Sequence, residues 1–193
     1  MKQAEKNRKS RAFILKHAFA EFAERGYSGS SLNQICARGN ISKGLLYHYY
    51  ASKDALYIAC VELLFQDMTD FLKTGIQEDT ITVNEYFAVR ARFFQQYPAH
   101  RQLFYDVLMY PQSHLQPEIE PCRAEFDQLN NTILLKILRK EQLAADITLE
   151  EALVQFRAFV NFLGVYIRED TNADAEQKTS ALLHTMLYGL IAR

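Results

Sequence analysis

The chain has 193 residues, 49 % of them apolar and 23 % charged, which is the composition of a globular protein with a sizeable core. No run approaches the roughly 18 uninterrupted apolar residues of a membrane span, and the opening stretch MKQAEKNRKSRAF has charges without an apolar signal core behind them, so a cytoplasmic protein with no membrane partner is expected. The formal net charge of −1 hides an asymmetry: residues 1–53 hold ten Lys and Arg against Glu5, Glu21 and Glu24 (+7), while the remainder holds 12 basic and 20 acidic residues (−8).

With seven Gly, four Pro and no stretch of alternating apolar and polar residues, the pattern predicts an all-α protein of about nine helices. From about Asn7 to Arg25, the residues Ile14, Leu15, Ala18, Phe19, Phe22 and Ala23 recur at spacings of three and four, and Gly26 is placed to end that helix. Ser30 and Ser31 offer N-caps for a second helix, LNQICARG, with Leu32, Ile35 and Cys36 inward. Gly39 and Asn40, which both tolerate a left-handed backbone, form the turn before Ile41. Ser42 caps a third helix through Tyr50, and Ser52 a fourth from Lys53 to about Thr74, stopped by Gly75. Two helices joined by a tight turn in the most basic part of the chain make a helix-turn-helix.

Longer helices follow: Thr82 to Tyr97, His100 to Tyr110, roughly Pro117 to Leu143, one from the Thr148 cap to about Arg168, and a last one from near Asp174 to the C-terminus. This divides the chain into a three-helix head over residues 1–53 and a larger helical body over 54–193.

Cys36, Cys60 and Cys122 are odd in number, widely spaced and without a C-x-x-C or His-rich partner motif. They read as reduced thiols, with neither a disulfide framework nor a zinc site. His100 and His114 also lack metal-ligand company, so neither a metal nor another cofactor is expected.

The third helix is the most informative segment. At 100° per residue, Lys43, Gly44, Tyr47 and His48 share one broad face, while Leu46 and Tyr50 share the other with Ile41. The second face suits the head's core. The first combines a cation, a gap without a side chain and two aromatics with polar tips. Gly44 costs about 1 kcal/mol relative to Ala in a helix interior, which makes sense where something bulky approaches the backbone. A helix N-terminus flanked by Lys43 and Lys53 also suits phosphate. Insertion into a DNA major groove meets all of these conditions.

The stretch from Arg11 through Leu56, RAFILKHAFAEFAERGYSGSSLNQICARGNISKGLLYHYYASKDAL, resembles the N-terminal domain of the TetR family of bacterial transcriptional regulators. Its most specific parts are F-x-x-x-G-Y before the second helix and ISKGLLYHYYASKDAL, which mirrors the family's V-S-K-G-T-L-Y-H-Y-F-x-S-K-E-x-L. The match covers about a quarter of the chain strongly; the body resembles the family in length and helix count. The resemblance implies a groove-facing set of Lys43, Gly44, Leu45, Tyr47 and His48, capped by Ser42. It assigns phosphate contacts to Tyr49, Lys53, Ser31 and Asn33. Three residues depart from the family pattern: Leu45 stands where many members have Thr and would meet a thymine methyl, Asn40 replaces the turn glycine, and Tyr50 replaces Phe.

A single recognition helix reads few base pairs, so a homodimer on two half-sites is expected, and the body must supply its interface. The resemblance implies a four-helix bundle between partners, here from Phe156, Val160, Leu163, Gly164, Leu183, Met186, Leu187 and Leu190. In the middle helices Phe65, Met68, Phe87, Phe94, Phe104, Tyr105, Leu108 and Phe126 read mostly as core, although helices of this region enclose an effector cavity in TetR-like proteins. Arg90, on the Tyr86–Phe93–Tyr97 side of its helix, reads as exposed; if buried it would need an anionic partner, from the protein or from a ligand.

The expected function is thus a ligand-responsive transcriptional regulator, a repressor in proteins of this kind, that binds a palindromic operator as a dimer and is released by a small, mostly apolar effector. The competing reading is a helical interaction module, or a small-molecule-binding protein whose head binds no DNA. An enzyme is not expected, since G-x-S-x-G, a Cys–His pair, clustered carboxylates and a phosphate loop are all missing.

Overall fold

The computed structural model describes residues 2–77 and 80–169 together with Leu182 and Thr185, with side chains described over 4–77, 80–162 and those two positions. Among them the chain forms eight α-helices and one short 3₁₀ turn: α1 (Lys2–Gly29), α2 (Leu32–Gly39), α3 (Lys43–Tyr49), α4 (Lys53–Gly75), α5 (Val83–Gln96), α6 (Pro98–Met109), the 3₁₀ turn Ser113–Leu115, α7 (Gln116–Leu138) and α8 (Leu149–Glu169). The fold is all-α, as the periodicity predicts. The helix expected from Asp174 onward lies outside the described residues.

Local chemistry sets most of the boundaries. Gly26, at φ 65° and ψ 175°, interrupts the regular geometry of α1 where a stop is expected. The helix begins earlier than its apolar stripe, at Lys2. Ser31 caps α2 by accepting from the backbone N–H of Gln34. Ser30, the alternative cap, turns back instead and donates to the carbonyls of Gly26 at 2.7 Å and Glu21 at 3.2 Å, partnering oxygens left open at the end of α1. Thr82 and Glu85 exchange reciprocal bonds at the start of α5, as do Thr148 and Glu151 at the start of α8. Both pairs are capping boxes. α7 stops short of the expected Leu143 because its last turn tightens to bonds from Lys140 to Ile137 O and from Glu141 to Leu138 O. Lys140 then reaches the Ile81 carbonyl with its ammonium, at 3.3 Å.

The chain divides into two compact units, one of residues 1–71 and 91–126, the other of residues 72–90 and 127–193. The first buries Ile14, Phe22, Ile35, Leu46 and Tyr57 in a core that includes the head. The second buries Tyr86, Ile133, Leu134 and Phe156. Each such side chain contributes about 1.5–3 kcal/mol on leaving water.

Arg90 corrects an expectation: it is buried, with only 6 % of its surface exposed. Its Nη1 donates to the Tyr86 hydroxyl at 3.1 Å, and that hydroxyl donates to Asn130 Oδ1 at 2.6 Å. The guanidinium also lies over the Tyr86 ring, 5.6 Å from its centroid. Hydrogen bonds and ring contact replace part of the lost hydration, an arrangement that helical spacing alone does not reveal.

All three cysteines are free; Cys36 and Cys60 are buried and Cys122 is half-buried. Burial pushes the Cys60 thiol well above its ordinary range. His100 is occupied by Asp67, 2.9 Å from its Nε2, and by the Phe19 ring at 4.3 Å. No cluster of metal-ligating side chains occurs among the described residues.

Candidate nucleic-acid interface

The head presents α3 by fastening everything around it. Asn40 sits at φ 48°, ψ 44°, and its backbone N–H closes on the end of α2, followed by a bond from Ile41 N to Cys36 O at 2.8 Å. Of the two residues that tolerate a left-handed backbone here, Asn40 adopts it and Gly39 does not. Gly39 is required for space instead: a Cβ there would lie 2.6 Å from Ile41 Cδ1 and 2.8 Å from the His17 ring. The turn thereby packs directly on α1 and aims α3.

Ser42 accepts from Leu45 N at 3.2 Å and caps α3, which ends when the Tyr50 N–H closes on Leu46 O. Leu46 is fully buried and Tyr50 nearly so. On the outer side Ser42, Lys43, Gly44, Leu45, Tyr47 and His48 are all exposed. Tyr47 leaves 54 % of its surface open and Leu45 38 %. A Cβ on Gly44 would meet nothing within 4 Å. The result is a short, rigid ridge with a cation, a notch, an exposed leucine and two polar-tipped rings.

The residues expected at phosphates are placed differently from one another. Asn33 is exposed on the first turn of α2. Ser31 is half-buried, its hydroxyl engaged with the Gln34 backbone and side chain. Tyr49 is half-buried and donates its hydroxyl proton to Asn7 Oδ1 at 3.1 Å. Lys53 rests over the Tyr27 ring, 4.1 Å from its centroid, and partial burial pulls its ammonium below its ordinary value while Asp54 opposes that shift. Tyr50 points inward as its place on the helix predicts; burial raises its phenol, and the nearby Arg11 guanidinium opposes the rise.

The head's charges separate into two groups. Arg25 and Arg38 are neutralised by Glu21 and Glu24, with Arg38 Nε 2.9 Å from Glu21 Oε2 and Arg25 Nε 3.1 Å from Glu21 Oε1. That pairing holds Glu24 below the ordinary carboxylate range, first through its hydrogen bond from Arg38. Lys6, Arg8, Arg11, Lys16 and Lys43 form no ion pair among the described residues. Asn7 and Arg11, both beside α3, are additions to the expected site residues; no local pattern in the sequence places them there.

In the body, the expected pocket residues fall into both units. Phe65, Met68, Phe94, Phe104, Tyr105, Leu108 and Phe126 belong to the first; Phe87 and Arg90 belong to the second. Phe65, Phe104 and Phe126 pack against one another with centroids 5.4–6.1 Å apart, and Phe94 stacks beside Phe104 at 5.5 Å. Leu108 is half-buried. Among the expected interface residues, Phe156 and Val160 are buried inside the chain itself, Phe156 against Phe87 at 6.1 Å. With 0 % and 3 % of their surfaces exposed in one protomer, Phe156 and Val160 can cover little of a partner, so these two are core residues. Among the described side chains of α8, Val154 and Phe162 are large apolar residues that are exposed, with exposed Ala158 between them at helical spacing. That i, i+4, i+8 stripe is legible in the sequence, beside a face that is more hydrophobic and turns out to be core. Leu163 and Gly164 lie on α8 without described side chains, and Leu183, Met186, Leu187 and Leu190 lie outside the described residues.

Residues 14–60 match the family model described as "Bacterial regulatory proteins, tetR family". A biofilm operon icaADBC HTH-type negative transcriptional regulator, IcaR of Staphylococcus epidermidis, is 39 % identical over 59 residues, covering 31 % of this chain and 32 % of that one. The HTH-type transcriptional regulator RutR of Escherichia coli K12 is 32 % identical over 94 residues, covering 47 % and 44 %. The matched stretches therefore span less than half the length of these curated relatives. In fold, the chain is similar to the transcriptional regulator FadR from Bacillus subtilis, solved in complex with stearoyl-CoA. The TM-score is 0.72 at 16 % identity, over 92 % of this chain and 98 % of that one.

Proposed function

We propose that this chain, which belongs to the TetR family of bacterial transcriptional regulators, represses transcription by binding a palindromic operator as a homodimer and is released by a small, mostly apolar effector. The observation that carries this reading is the outer face of α3. Lys43, Gly44, Leu45, Tyr47 and His48 stand exposed on a helix whose other face is buried, capped at Ser42 and aimed by the Asn40 turn. An exposed tyrosine and leucine beside an unfilled glycine have no use in the head's own packing. They suit a groove whose base edges and methyl groups must be approached closely.

Residues 1–53 act as the DNA-binding head and residues 54–193 as the effector and dimer body. Tyr49, Lys53, Ser31 and Asn33 hold the backbone phosphates, which requires Tyr49 to exchange its bond to Asn7 and Lys53 to leave the Tyr27 ring. The stripe of Val154, Ala158 and Phe162 on α8 contributes to the dimer face, together with the more C-terminal residues already named. The effector binds among the aromatic side chains of the middle helices. The FadR of similar fold was solved with stearoyl-CoA, which joins a long apolar acyl chain to a charged nucleotide part. Effector binding changes the separation of the two heads through α4, the helix that leaves the head at Lys53. Its power is limited by its differential affinity for the two separations.

The test is DNA binding by the full chain, using duplexes recovered from a random-sequence pool. Binding that weakens steeply between about 50 and 200 mM salt, and that Tyr47→Ala abolishes without disrupting the dimer, is the expected result. Salt-insensitive association, or full binding by Tyr47→Ala, would overturn the assignment and favour a protein-interaction module.

A further inference from the structure

The first three turns of α1 lie ahead of the segment that matches the family model, which begins at residue 14. They are continuous with the rest of α1, so about 18 Å of helix projects beyond the matched region. Two contacts tie these turns to the end of α3. Tyr49 donates to Asn7 Oδ1 at 3.1 Å, and the Arg11 guanidinium lies 5.8 Å from the centroid of the Tyr50 ring. Asn7 and Arg11 are one helical turn apart, so both contacts come from the same side of α1, and Arg8 adjoins that side.

Arg8 and Arg11 are exposed and form no ion pair among the described residues, in contrast to Arg25 and Arg38. Arg8, Arg11 and Lys43 therefore carry uncompensated charge on α3 itself or on the turns tied to its end, while the compensated charge of Arg25 and Arg38 lies where α1 and α2 pack. Exposed arginines at the edge of a base-reading element suit phosphate oxygens, to which guanidinium donates two parallel bonds.

We propose that Arg8 and Arg11 form a second DNA contact, gripping backbone phosphates beside the base pairs read by α3. The inference rests on the DNA-binding reading given above and adds to it two residues ahead of the span that the family model matches, Arg11 at the first position of the resembling stretch and Arg8 before it. In the free chain Asn7 and Tyr49 are its positioning residues, since their bond holds the basic turns beside α3 until Tyr49 turns to its own phosphate. The contact is independent of sequence, so it raises affinity for every site without selecting among them.

The test measures how the affinity of the full chain for a duplex recovered by wild type from a random-sequence pool depends on salt. The variants are Arg8→Gln/Arg11→Gln, Arg8→Lys/Arg11→Lys and Lys16→Gln. Removing one phosphate interaction lowers the slope of log K against log salt by about 0.9, so the double glutamine variant should show a shallower slope and roughly tenfold weaker binding. The double lysine variant should recover most of both. Lys16 lies on the opposite side of α1 and also has no ion pair, so Lys16→Gln should leave the slope unchanged.

An unchanged slope in the double glutamine variant, or an equal change in Lys16→Gln, overturns the proposal. Loss of binding to phosphatidylserine vesicles with the DNA slope intact would assign these turns to a membrane surface and overturn it too. If wild type recovers no duplex at all, the DNA-binding reading itself fails and this contact fails with it. Equal thermal melts for all variants exclude a folding defect as the cause of a changed slope.

Discussion

Arg38 Nε lies 2.9 Å from Oε2 of Glu21, a carboxylate whose side chain is only 3 % exposed, so the head keeps one nearly buried acid shared between two helices. Arg25 approaches the other oxygen at 3.1 Å from within α1. Both arginines retain solvent, at 32 % and 49 % exposure, and would stay hydrated if the carboxylate were removed. Glu21→Ala should therefore cost about 2 kcal/mol, below the roughly 3–5 kcal/mol typical when a fully buried charge is left alone. Urea unfolding followed by circular dichroism measures the loss. A variant as stable as wild type would show that the pair does not hold α2 to α1.

The two glycines that flank the turn and open α3 should respond oppositely to alanine. At Gly39 the new Cβ would meet Ile41 Cδ1 at 2.6 Å and the His17 ring at 2.8 Å. Overpacking of this kind costs about 1–3 kcal/mol. At Gly44 the Cβ meets nothing within 4 Å, and alanine should stabilise α3 by up to about 1 kcal/mol through helix propensity. If the notch serves a groove, Gly44→Ala should weaken DNA binding while raising the melting temperature. Paired melting and binding measurements separate the two effects, and tighter binding by Gly44→Ala would show that the notch has no such use.

Much of the head is legible in short-range chemistry. Ser31, Ser42 and Asn40 act within three or four residues of their own positions, and the sequence locates such caps and turns well. The opposite faces of α3 follow from helical periodicity in the same way. What stays hidden joins distant residues: Asn7 meets Tyr49 across 42 positions and Tyr86 meets Asn130 across 44, with no local pattern to announce either. Arg90 and Phe156 differ from expectation for a related reason. Helical spacing assigns side chains to faces, but only packing decides which face becomes core.

A third prediction concerns alkaline pH. The Tyr27 phenol is pushed up to about 12, first by burial and then by its hydrogen bond to Asp54 and that carboxylate's charge. Tyr57, packed against it at 5.0 Å, is raised as well, again chiefly by burial. An unfolded tyrosine releases its proton near pH 10, whereas the folded chain keeps both. The stabilisation is complete below about pH 10 and is lost as pH rises from about 10 to 12, because the unfolded state then binds fewer protons. Urea midpoints across this range should fall in the wild type and fall less steeply in Tyr27→Phe. Parallel curves for the two would show that Tyr27 does not carry the effect.

The buried polar chain from Arg90 through Tyr86 to Asn130 gives the last prediction. The Tyr86 hydroxyl accepts from Arg90 and donates to Asn130, so it joins the two where no water reaches it. Tyr86→Phe keeps the ring beneath the guanidinium and removes only that oxygen. Asn130 then loses a donor at 5 % exposure and Arg90 loses one of its partners at 6 %. The expected cost is about 1–3 kcal/mol, larger than for an exposed hydroxyl because neither partner can turn to solvent. Adding Asn130→Leu should cost less than its own single change does, since the donor it would strand is already gone. Chemical unfolding of the two single variants and the double variant measures the coupling. Strict additivity would mean that the three side chains are neighbours without being a network.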